Sequence, residues 1–106
     1  MNEYIQISTT TNNKKDAEII ARKLVESRLA ACVQITGPIK STYLWKDVIE
    51  TEEEWLCLIK TVDALYKKIE NAIRDVHPYE VPEIIAVPVV KGSSDYLSWI
   101  QEVVKD

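Results

Sequence analysis

Glycine is nearly absent from this chain, with two in 106 residues, and phenylalanine is missing altogether. Two glycines do not build a glycine-rich phosphate loop, where backbone must approach the anion without intervening side chains. One histidine and two cysteines, Cys32 and Cys57, cannot supply a four-ligand zinc site within one chain. The cysteines lie 57 − 32 = 25 positions apart and lack a CxxC spacing. That excludes a disulfide scaffold and predicts reduced, packed thiols in a cytoplasmic protein. Positive charge is short as well: 13 Lys plus Arg against 17 Asp plus Glu gives a net charge of −4. Sequence-independent binding to nucleic acid or to an anionic membrane rests on basic patches, so neither partner is expected. No apolar run approaches the roughly 18 residues of a membrane span, and Met1-Asn2-Glu3-Tyr4 carries no export-signal pattern. What is present is the balance of a globular domain, 46% hydrophobic and 28% charged, in a length that predicts one domain over residues 1–106. Three Trp and five Tyr are a surplus for so short a chain and suggest neighbours to bury them against.

Ile5, Ile7 and Thr9 alternate with Gln6, Ser8 and Thr10, the period of a strand. Asn12 and Asn13 offer helix caps. From Lys14 to Arg28, Ala17, Ile20, Ala21, Leu24 and Val25 share one helical face, and Glu18 and Arg22 form a candidate i,i+4 pair. Ala31 to Thr36 reads as a second strand, interrupted at Gly37-Pro38 by a bulge or an edge and resuming through Ile39 to Trp45. Lys46-Asp47 is a two-residue turn, and Val48 to Thr61 the returning strand. Asp63 is placed to cap a second helix that ends at His77-Pro78. Ile84 to Val90 is an almost unbroken apolar run, predicted to be a buried strand with Pro88 at an edge or bulge. Gly92-Ser93-Ser94-Asp95 introduces a last helix from Tyr96 to about Val104. The order is β-α-β-β-α-β-α, an α+β ferredoxin-like β-α-β-β-α-β sandwich with a long β2–β3 hairpin and a C-terminal helix.

Each hairpin arm of about 14 residues, at about 3.3 Å per residue, would span roughly 45 Å, longer than so small a domain can cover. Apolar side chains on both faces of that overhang need cover, which predicts an obligate homo-oligomer.

Five blocks carry a family resemblance: Arg28-Leu29-Ala30-Ala31-Cys32, Ser41-Thr42-Tyr43-Leu44-Trp45, Ile59-Lys60-Thr61, His77-Pro78-Tyr79-Glu80-Val81-Pro82-Glu83-Ile84, and Tyr96-Leu97-Ser98-Trp99. In this order and spacing the chain closely resembles the CutA family, the divalent-cation tolerance proteins. The resemblance implies a homotrimer with hairpins wrapped around neighbouring subunits. It also implies a link to copper and heavy-metal tolerance in bacteria, and a proposed anchoring role for acetylcholinesterase in animals. The trimer architecture is similar to that of the PII signal-transduction proteins, which bind small ligands between subunits. Three features depart from common family patterns: Lys46-Asp47 replaces a glycine-bearing turn, Thr9 stands where some relatives have a copper-ligating Cys, and Val76 where some have a second His. A metal site carried over from the family keeps only His77 and Glu83.

From the residues themselves, His77 with Glu80 and Glu83 is a candidate set for copper(II) or another divalent cation, stiffened by Pro78 and Pro82. The competing reading has His77 hydrogen-bonded at a helix end. Tyr43, Trp45, Lys60, Tyr79 and Trp99 are candidates to line an inter-subunit cleft, against simple subunit packing. Glu50, Glu52, Glu53 and Glu54 read as a solvated strand edge, with loose cation attraction as the sharper alternative. Lys60 and Arg28 could hold an anion, though salt bridging is the commoner fate. No catalytic spacing and no organic cofactor motif is visible, and a non-enzymatic role is expected. Acylphosphatases and RNA-recognition domains share the topology, but the glycine-rich anion loop of the first and the strand aromatics of the second are lacking. Two functions follow: a trimeric divalent-cation tolerance protein that binds copper weakly, or a PII-like trimeric sensor or scaffold for an unidentified small molecule or protein. A trimer would carry 3 × −4 = −12, a field that favours cations without selecting one.

Overall fold

The computed structural model describes residues 3–105; the expectations placed on Met1 and Asn2 lie outside it. Eight elements follow the chain: β1 (Tyr4–Thr11), α1 (Lys14–Glu26), β2 (Cys32–Trp45), β3 (Val48–Val62), a 3-10 turn (Asp63–Leu65), α2 (Tyr66–Val76), β4 (Ile85–Pro88) and α3 (Ser94–Val103). The strands form one antiparallel sheet in the order β2-β3-β1-β4, the ferredoxin-like arrangement expected from the element order.

The core follows from periodicity. Ile5, Ile7 and Ile59 point from one sheet face into a cluster with Ile20 and Leu24 of α1 and Ile69 and Ile73 of α2. Ile100 and Val104, at the end of the chain, join the same cluster. Asn13 caps α1, its side chain accepting from the Asp16 amide at 2.8 Å. The helix stops two residues earlier than its apolar pattern suggests, because Arg28 turns left-handed (φ 62°). Arg22 pairs with Glu26 at 2.6 Å rather than with Glu18. Both partners are exposed, so this pair contributes little either way. Asp63 does not cap α2 with its side chain; it opens the 3-10 turn, and its amide donates to the Glu3 carbonyl at 2.8 Å. His77 closes α2 with an extended ψ of 133°, the conformation a following proline imposes.

The last strand departs from expectation. All four residues of β4 are exposed, with Ile85 at 55% and Val87 at 47%. An unbroken apolar run signals burial on both faces, but β4 is an edge strand paired only with β1, and nothing in the single chain covers it.

The hairpin is as long as predicted, with arms of 14 and 15 residues, and the molecule extends 44 Å along its long axis against 25 and 22 Å across. A register shift between Thr36 and Ile39 marks the bulge at Gly37-Pro38. Beyond it, seven pairs from Ile39↔Glu54 to Trp45↔Val48 form a two-stranded ribbon, since β1 pairs with β3 only from Trp55 onward. Lys46 and Asp47 both have positive φ, 51° and 66°, which reverses the chain in two residues with the twist the strands require. Leu44 and Ile49 at the tip are 66% and 73% exposed.

Candidate functional site

Chain direction brings the segment after α2 across the root of the ribbon. Residues 77–83 have no regular structure and two prolines, so they run as a stiff strap. The ring of His77 anchors its start. Nε2 lies 2.7 Å from the Thr10 carbonyl, and Nδ1 accepts from the Tyr79 amide at 3.1 Å. That pair of contacts assigns the proton to Nε2, since Nδ1 must present its lone pair to an N–H. Burial is the main influence on the ring and lowers its pKa, outweighing the Thr10 carbonyl and the charges of Asp16 and Glu54; the neutral imidazole is therefore favoured. The Tyr79 ring meets the imidazole edge-on at 4.7 Å.

Tyr79 then ties the strap to the ribbon. Its hydroxyl donates to Glu54 Oε2 at 2.8 Å. Glu54 is only 7% exposed. Burial, followed by the Glu54 hydrogen bond and charge, raises the Tyr79 pKa, so the phenol keeps its proton.

Strap and ribbon border an open cleft of about 760 Å³. Glu50, Glu52 and Glu54 reach it from alternate positions of β3, as the two-residue period of a strand dictates, while Glu53 does not line it. Tyr43 and Trp45 reach it from alternate positions of β2, and Tyr79, Glu80 and Glu83 from the strap. Glu83 is exposed on one side, yet partial desolvation and then the Glu54 charge raise its pKa. No Lys, Arg or His lines the cleft among the described residues. Its field is that of carboxylates crowded together.

Of the residues singled out in the sequence, Tyr43, Trp45, Tyr79 and Glu83 thus share one cleft, built from a single chain. His77 sits behind it, positioning the strap. Lys60 and Trp99 lie elsewhere: the Lys60 ammonium donates to Gln34 on the neighbouring strand, and the Trp99 ring stacks at a tilt on Tyr96, 5.5 Å away. The Arg28 guanidinium lies outside that cleft's lining, donating to the Val103 carbonyl at 3.4 Å. Thr9 is fully buried and does not line the cleft. Cys57 is buried, its thiol pushed up to about 11 by desolvation, and it does not line the cleft. Among the described residues no three His, Cys, Asp or Glu side chains are grouped to chelate one metal ion. The acidic run is solvated at Glu52 and Glu53, as its charge suggests, but Glu54 departs from that reading, being buried and bonded to Tyr79. Its i, i+2, i+4 glutamates carried the signal, for they fall on one face of a strand.

The fold defines a class of small ferredoxin-like α+β proteins, here with a projecting ribbon and an acidic cleft, and no helix among the described residues is long and apolar enough to cross a membrane. Residues 5–103 match the family described as CutA1 divalent ion tolerance protein, and the chain belongs to that family. It is 48% identical over 94 residues to the human Protein CutA, a match covering 89% of this chain and 52% of the human one. It therefore spans about half the length of the human relative. It is 39% identical over 102 residues to the divalent-cation tolerance protein CutA of Thermus thermophilus, covering 96% and 97% of the two chains. The crystal structure of CutA1 from Shewanella sp. SIB1 superposes with a TM-score of 0.95 at 40% identity, covering 99% of this chain and 98% of that one.

Proposed function

We propose that this chain works as a cytoplasmic homotrimer that associates weakly with divalent cations, copper(II) among them, and so takes part in tolerance of metal ions as a binding protein rather than an enzyme. The observation that carries the reading is the cleft between ribbon and strap, where five glutamates gather with no basic side chain among the lining residues. Family membership supports the divalent cation as its object. The trimer is supported by the ribbon. Covering each of Leu44, Val48 and Ile49 at its tip, all more than half exposed, contributes about 1–2 kcal/mol to association. The exposed apolar edge at β4 asks for the same cover.

The donor set limits what the metal can be to this protein. Glutamate oxygens suit a hard or borderline divalent ion held loosely, and neither Cys57 nor Cys32 lines the cleft to offer a thiol to a soft one. Glu83 is an accessible ligand, as are Glu52 and Glu80. His77 already has the features of an oriented ligand, with Nε2 bonded to a backbone carbonyl and a neutral ring. Its Nδ1 would have to release the Tyr79 amide, which keeps the affinity low.

Sedimentation velocity at micromolar concentration should give three chains per particle. Calorimetric titration of copper(II) should show saturable binding at one per chain, weakened about tenfold by Glu83→Gln and by His77→Ala. A monomer removes the trimer from the proposal. Copper binding unchanged in both variants removes these two residues as ligands.

A further inference from the structure

The cleft is a poor chelator and a capacious one. Nothing among the described residues brings three metal-ligating side chains together. At about 760 Å³ the cleft is far larger than one bare ion, which would leave most of it to solvent. That size is typical of small-molecule sites, at about 300–1,000 Å³.

The lining says what molecule would suit it. Tyr43, Trp45 and Tyr79 add aromatic surface between the carboxylates. Ring faces attract ammonium and guanidinium groups, and the Trp45 ring already draws one, with Lys46 Nζ 5.5 Å from its centroid. Glu54 is more than nine-tenths buried, with the Tyr79 hydroxyl on one oxygen and no basic side chain among the lining residues to balance its charge. A buried carboxylate favours a counter-cation nearby. Glu50 and Glu52 continue along the same strand face, and Glu80 and Glu83 stand across from them on the strap. Acids spread over such a cleft hold a single ion only loosely, but they can meet several positive groups along a flexible chain.

We propose that the cleft between ribbon and strap binds a small organic polycation, a polyamine-like molecule with ammonium groups on short aliphatic spacers, its methylenes packed on Tyr43, Trp45 and Tyr79. This inference rests on reading the cleft as a cation site and goes further by naming the cation's class. The glutamates hold the ammonium groups through charge-assisted hydrogen bonds, and the aromatic rings supply the preference for an organic over an inorganic ion.

Calorimetric titration of the assembled protein with spermidine tests it, with putrescine, 1,4-butanediol and magnesium alongside. Spermidine should bind saturably at one per chain, putrescine more weakly and butanediol not at all. Trp45→Leu should weaken spermidine roughly 3- to 10-fold while leaving magnesium unchanged. Glu52→Gln should weaken spermidine by about tenfold or more, whereas Glu26→Gln, on α1 away from the cleft, should leave it as it was. Circular dichroism of each variant checks the fold. Equal weakening by Glu26→Gln would reduce the effect to net charge and overturn the proposal. So would spermidine binding that Trp45→Leu spares, or no spermidine binding at all. Copper binding that persists without spermidine binding defeats this inference and leaves the metal reading intact; loss of both defeats the cation site itself.

Discussion

Removing one oxygen from Tyr79 should loosen the strap without disturbing its packing. Tyr79→Phe keeps the ring that meets His77 edge-on at 4.7 Å but deletes the hydroxyl that donates to Glu54 Oε2 at 2.8 Å. Hydrogen bonds to charged groups contribute about 1.5–3 kcal/mol. Glu54 is 7% exposed, but Tyr79 is only half-buried and water can partly replace its hydroxyl. The low end applies, about 1.5 kcal/mol per chain, or roughly a factor of ten in the equilibrium. With a urea m-value of about 1–3 kcal/mol/M, the midpoint should fall by about 0.5–1.5 M with its slope unchanged. Protein concentration must be held fixed, since assembly shifts apparent stability. The Tyr79 amide, which donates to His77 Nδ1, should exchange with solvent about tenfold faster. Glu54→Gln makes the partner variant, and a double-mutant cycle between the two should show coupling of about 1 kcal/mol. If Tyr79→Phe unfolds at the parent's midpoint, or if the two substitutions are additive, the clamp between strap and ribbon is not what holds them together.

His77 should make the fold acid-sensitive. Its pKa is lowered in the folded chain from the ordinary 6.5, so the unfolded state binds the extra proton more readily. The stability this contributes is complete above about pH 6.5 and is lost as the pH falls through the lowered folded value. Urea midpoints measured from pH 7.5 to 5.5 should therefore fall more steeply in the parent than in His77→Gln, and identical slopes would rule out the ring as their source. Asp47→Gly at the ribbon turn should stabilise the protein by about 0.5–1 kcal/mol, because Asp47 holds a φ of 66° that glycine adopts without steric cost. A lower thermal midpoint for that variant would show that the turn is not strained at this position.

Much of the site is legible locally, but not its walls. Tyr43, Trp45, Tyr79 and Glu83 were recognisable because large aromatics and a proline-stiffened acidic segment are unusual in so short a chain. Glu50, Glu52 and Glu54 were visible as a charge run, but a run on an exposed strand and a run facing a cleft look alike until the opposite wall is known. Ile85 and Val87 show the converse failure. Their apolar run reads as burial, whereas β4 takes the open edge of the sheet and leaves both more than 40% exposed. Asp63 has a capping residue's chemistry, but its position at the end of β3, with its amide paired to Glu3, sends the chain into a 3-10 turn before α2 begins.

Sequence alone determined the succession of elements, the two-residue turn at Lys46-Asp47, the end of α2 before Pro78 and the length of the ribbon. These depend on side-chain period and backbone preference within a few neighbouring residues. Tertiary structure decided what the site is. Tyr79 meets Glu54 across 25 positions and His77 meets Thr10 across 67, contacts that no local pattern encodes. They exist because the sheet order sets β1 beside β3 and α2 delivers the strap to the point where β1 ends and the ribbon runs on alone. Burial of one glutamate, the tautomer of the one histidine and the cleft between ribbon and strap all follow from that meeting.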